Sequence, residues 1–123
     1  LTTVEFVGQI RTALRPGGVY ALNLIDFGDR GFARAEAATL RAVFEHVAVI
    51  APVARLVGGA GGNFVLVASD DPLPVEAIQA RNAARGDDDT VLADPSRLDA
   101  FVGDAKVLTD ERAPVDQLIT PER

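Results

Sequence analysis

The sequence has no cysteine, no methionine and no tryptophan, and its one histidine is His46. Without cysteine there is neither a disulfide framework nor a thiolate metal site, and a lone histidine excludes a histidine-rich zinc or iron centre. Basic residues are scarce too: 12 Lys and Arg against 18 Asp and Glu leave a net charge of -6. Such a balance disfavours attraction to nucleic acid or to anionic lipid. No apolar run approaches the roughly 20 residues of a membrane span, and no signal-peptide pattern opens the chain. These absences point to a cytoplasmic protein with no metal, no nucleic-acid partner and no membrane segment in this chain. A chain without Met that opens directly on a helix at Leu1 leads to the expectation that an upstream part is missing.

What is present is globular: 123 residues, 48% hydrophobic and 24% charged, enough for one domain with a core of its own. Phe6, Val7, Ile10 and Leu14 recur at helical spacing and predict an amphipathic helix over Thr3 to Leu14. Thr2 is placed as its N-cap, with Glu5 completing a capping box. Arg15-Pro16-Gly17-Gly18 ends the helix, because Pro16 cannot continue it and a glycine supplies positive φ. The run Val19 to Asp26 is nearly all apolar and predicts a strand buried on both faces. A second helix is expected from Ala33 to Glu45, with Ala37, Leu40 and Phe44 on one side and Arg34, Glu36 and Arg41 on the other. Val47 to Ala51 and Asn63 to Ser69 read as an antiparallel hairpin around Gly58-Gly59-Ala60-Gly61-Gly62. A third helix starts at Pro74 or Val75 and runs to about Arg85. The acids Asp87-Asp88-Asp89 read as a loop, and a short helix spans Pro95 to Phe101.

Several groups invite a functional reading. The glycine run precedes a strand rather than a helix, so it is a hairpin connection and not a phosphate cradle. Asp87-Asp88-Asp89 lacks the alternation of a calcium loop. His46 closes a helix, where its charge suits the dipole. Asn23 and Asp26 stand near the carboxyl end of the first strand, where open α/β sheets place their ligands. In the tail, Asp110, Glu111 and Asp116 flank Ala113-Pro114-Val115.

The segments Val4-Glu5-Phe6 and Leu14-Arg15-Pro16-Gly17-Gly18-Val19-Tyr20-Ala21-Leu22-Asn23 resemble the later half of a class I methyltransferase-like domain. There a helix ends in a Leu-x-Pro-Gly-Gly turn and feeds the fifth strand. The tail Leu108-Thr109-Asp110-Glu111-Arg112-Ala113-Pro114-Val115-Asp116-Gln117-Leu118 is similar to the C-terminal signature of bacterial spermidine-synthase-like proteins. That group includes the aminopropyltransferase domains fused to membrane transporters. The resemblance implies an α/β, partial Rossmann-like methyltransferase fold: the end of a mostly parallel sheet, a reversed last strand inserted between its neighbours, and a short helical tail. Residues 1–123 would form the C-terminal part of one such domain, without its donor-binding half.

By the same resemblance, the parent transfers an aminopropyl group from decarboxylated S-adenosylmethionine to a polyamine acceptor. A methyltransferase using S-adenosylmethionine, or a non-catalytic binding or assembly domain, are the alternatives on this scaffold. The family's donor-binding and catalytic residues fall upstream of Leu1, so no catalytic or cofactor residue is assigned and the chain alone is expected to be inactive. Asn23, Asp26, Asp110 and Asp116 are the candidate substrate contacts. With the family's fourth strand absent, the strand Val19 to Asp26 would lack a neighbour on one side, with Leu22 outward, so a homo-oligomer through that edge is expected, or else its being held by the missing half of the same protein.

Overall fold

Thr3 starts the first helix, its hydroxyl accepting from the Phe6 N–H at 3.3 Å. In the computed structural model, which describes residues 3–26, 31–52, 56, 62–84 and 89–109, this helix, α1, spans Val4–Ala13. The cap is therefore Thr3, one residue later than expected, and Thr2 lies outside the described residues. A tight turn then redirects the chain: the Gly18 N–H donates to the Arg15 carbonyl at 2.8 Å. Gly17 adopts φ +79°, which Pro16 before it and the absence of a β-carbon make favourable. The strand β1 (Tyr20–Asp26) follows, then α2 (Gly31–Val43), β2 (His46–Pro52), β3 (Gly62–Ser69), α3 (Val75–Ala84), β4 (Asp89–Leu92) and α4 (Pro95–Val102).

The sheet order is β1-β3-β2-β4. All three pairings are antiparallel, which corrects the expected mostly parallel sheet. The cause is the hairpin. β3 turns back from β2 and lies between β2 and β1, so β1 and β2, which run the same way, never touch. The expected helical tail also needs correction. Asp89, expected in a loop, opens β4, which pairs with β2 from Pro52↔Asp89 to Val49↔Leu92 before α4 begins. Pro95 stands in the first turn of α4, where its missing N–H costs nothing, and the Asp94 side chain accepts from the Arg97 N–H.

Two apolar layers hold the sheet. On one face Val7 of α1, Phe32 and Leu40 of α2, and Leu98 and Phe101 of α4 close over Leu24, Val49, Phe64 and Leu66. On the other, Val75 and Ile78 of α3 pack on Ala48, Val67 and Val91. Because side chains alternate along a strand, β2 and β3 serve both layers. β1 does not. Leu24 and Asp26 are buried and Tyr20 and Leu22 half-buried, whereas Ala21, Asn23 and Ile25 are exposed. The continuous apolar run thus hides a one-sided strand, and Leu22, expected outward, faces the core.

Long-range hydrogen bonds tie the periphery to α2. The Arg34 guanidinium donates to the carbonyls of Phe101 and Val102 at the end of α4 and to the Asp104 carboxylate at 2.9 Å. Thr39 donates its hydroxyl to the Ala35 carbonyl and accepts from the Leu108 N–H, both at 2.8 Å. The Leu108 carbonyl in turn accepts from Val4 N–H at the head of α1.

Candidate functional site

β1 ends at Asp26, and β2, running the same way, ends at Pro52; this is the end of the sheet at which open α/β folds bind ligands. The Asp26 carboxylate is fully buried, and its Oδ2 accepts from the Ala33 N–H at 2.6 Å. Ala33 lies in the first turn of α2, so the Asp26 side chain takes up one of the amides that the start of a helix leaves without an intrahelical partner. Asp26 therefore fixes how α2 leaves the sheet.

Asn23 is separated from it. Three positions apart on a strand place the two side chains on opposite faces, and Asn23 is exposed. The register sets Asn23 opposite Val65 and Ile25 opposite Asn63. Asn23 and Asn63 are therefore diagonal neighbours on the outer face, two amides that both donate and accept. Sequence reading missed Asn63, since only the register brings it beside β1. Asp110 and Asp116 lie outside the described residues.

Glu36 is the larger surprise. Expected on the polar side of α2, it is fully buried, and neither carboxylate oxygen has a hydrogen-bond partner. Burial pushes its pKa from 4.5 up to about 8, so the carboxyl is protonated at neutral pH. Tyr20, half-buried at the start of β1, is raised as well, by burial and then by the Glu36 charge. The signal was present in the sequence: Phe32, Ala33 and Leu40, at helical spacing from Glu36, are all buried apolar residues.

A groove of about 710 Å³ opens at the other end of the sheet, lined among others by Arg11, Arg41, His46 and Asp70. Both of its arginines are already paired. Arg11 donates to Asp70 at 2.6 Å and holds that carboxyl below its ordinary range, and Arg41 pairs with Asp99 at 2.8 Å. Among the described residues no three or more potential metal ligands come together, and no helix is long and apolar enough to cross a membrane. The Pro16–Gly18 turn leads from α1 into β1, a helix-to-strand connection.

No family model matches the chain, and no curated protein does. Among solved structures, the crystal structure of a probable spermidine synthase from Corynebacterium glutamicum matches with a TM-score of 0.78 and 32% identity. The match covers 93% of this chain and 43% of that one. With its reversed strand between two co-directional ones and its Pro-Gly-Gly entry to β1, the chain resembles part of a spermidine-synthase-like, methyltransferase-fold domain, spanning less than half the length of the enzyme it matches.

Proposed function

We propose that this chain is one part of an aminopropyltransferase: a unit that moves an aminopropyl group from decarboxylated S-adenosylmethionine to a polyamine acceptor. The observation that carries the reading is the match to the probable spermidine synthase, at 32% identity over 93% of this chain. The acidic balance agrees with it, since a net charge of -6 favours a polycationic acceptor. Within the unit, Asn23 presents an amide at the outer face of β1, and Asp26 acts by positioning α2 rather than by touching substrate. Asp110 and Asp116 are proposed as acidic contacts that hold the acceptor's ammonium groups. Donor binding and proton abstraction from the attacking amine fall to residues outside this chain.

A chimera tests the proposal. The matched stretch of the Corynebacterium protein is replaced by this chain, and product formation from decarboxylated S-adenosylmethionine and putrescine is followed by mass spectrometry, with the unaltered enzyme as control. Aminopropyl transfer by the chimera is expected. By calorimetry, the chain alone shows no binding of decarboxylated S-adenosylmethionine or S-adenosylmethionine. A folded chimera that transfers nothing to any diamine, or micromolar donor binding by the chain alone, overturns the assignment.

A further inference from the structure

Between Gly103 and Leu108 the chain forms neither helix nor strand, yet one helix holds it at both ends. Arg34 of α2 binds the Phe101 and Val102 carbonyls and the Asp104 carboxylate at the near end. Further along α2, Thr39 holds the far end at Leu108. A threonine inside a helix commonly turns its hydroxyl back to the carbonyl four residues earlier, and Thr39 does so with Ala35. That bond uses its one donor and leaves its lone pairs free. They receive the amide of a residue 69 positions away, at 2.8 Å. The Leu108 carbonyl accepts from the Val4 N–H at 2.7 Å, so both backbone groups of Leu108 are engaged. Thr39 is fully buried and Leu108 is buried beside it. The Asp26 carboxylate fixes the start of the same helix through Ala33, so α2 joins the end of β1 to the root of the tail.

We propose that Thr39 is a positioning residue for the polyamine acceptor: by holding Leu108 it sets the point from which Asp110 is presented. This rests on the aminopropyl-transfer reading, in which the tail carboxylates hold the acceptor's ammonium groups. Asp110 follows Leu108 by two residues, so its Cα lies at most about 7 Å from that of the anchored residue. Asp116 follows by eight, a reach of up to about 28 Å, and takes no register from Thr39. The two acids therefore differ: Asp110 acts from a set place and depends on the Thr39 hydroxyl, whereas Asp116 does not. A carboxylate that is already placed binds a cation at a smaller ordering cost than one that must first be brought there. Thr39 touches neither donor nor acceptor and acts through Leu108 alone.

The chimera that tests transfer also tests this. In it, Thr39→Val raises the KM for putrescine about fivefold, the worth of one hydrogen bond, and leaves kcat and the donor KM unchanged. Thr39→Ser keeps the hydroxyl and restores the KM. In an Asp110→Asn background Thr39→Val adds nothing, whereas with Asp116→Asn the two effects multiply. Val4→Pro deletes the other hydrogen bond to Leu108, at a helix position where proline is tolerated, and raises the putrescine KM in the same sense whether or not Thr39→Val folds. An unchanged putrescine KM in Thr39→Val overturns the positioning and leaves the transfer reading standing. So does a kcat that falls alike in Thr39→Val and Thr39→Ser, or an effect that multiplies with Asp110→Asn. A folded chimera that transfers nothing overturns the transfer reading instead. The positioning is then read from the full chain by nuclear magnetic resonance, as the putrescine concentration that shifts the Asp110 carboxyl signal. Thr39→Val is expected to need about five times more. An equal concentration in the two proteins, or no shift in either, overturns it.

Discussion

Glu36→Gln should change how stability depends on pH, and the size of the change follows from the burial of the carboxyl. In the folded chain Glu36 is protonated up to about pH 8, whereas the unfolded chain releases that proton near 4.5. Between those values the folded state binds more protons than the unfolded one, so stability falls as pH rises and levels off above 8. The full span of about 3.5 units, at about 1.4 kcal/mol each, amounts to about 5 kcal/mol. A glutamine of nearly the same shape has no proton to lose. Urea denaturation of both proteins from about pH 5 to 8 should therefore show their difference in stability moving by about 4 kcal/mol in favour of the variant. Comparing the two proteins at each pH removes the contributions of the other carboxylates. Tyr20 titrates above this window. Parallel pH profiles for the two proteins would refute the reasoning, because they would mean that Glu36 is solvated or paired.

Other contacts give sharper local tests. Asp26→Ala leaves the Ala33 amide without its carboxylate and should cost about 1–3 kcal/mol in urea denaturation, more than an exposed Asn23→Ala. Thr39→Val removes the hydroxyl that receives the Leu108 amide, so hydrogen exchange at Leu108 should accelerate while β2 and β3 keep their protection. Gly18→Ala sets a β-carbon 2.9 Å from the Arg15 carbonyl oxygen and should lower the melting temperature, whereas Gly8→Ala, with open space around it, should not.

The parts of the fold that local chemistry decides were legible. Pro16, Gly17 and Gly18 announced the turn into β1 because that turn is made within four residues. The hairpin of β2 and β3 was legible from two apolar runs set on either side of a glycine-rich stretch. β4 was not: four residues opening on an acid have no pattern of their own, and the segment becomes a strand because β2 offers it an edge. Ala21 and Ile25 made β1 look buried on both faces, yet α3 covers the second face only over β2, β3 and β4. At the site, Asp26 stood out by its place at a strand end, but its bond to Ala33 depends on where α2 returns to the sheet. Glu36 was misplaced because the reading assigned charge to solvent, while α2 is wrapped on nearly every side.

The place of β3 between β1 and β2 also dictates an order of assembly. The β2–β3 ladder closes between near neighbours, Ile50 with Val65, whereas the β1–β3 ladder begins with Asp26 and Gly62, more than twice as far apart along the chain. Closing the longer loop before the shorter one gains no contact to offset its entropy, so the hairpin forms first and β1 docks onto a finished edge. The route reversed makes β1 the first strand to leave: substitutions in its ladder speed unfolding and leave the folding rate nearly unchanged, while those between β2 and β3 slow folding itself.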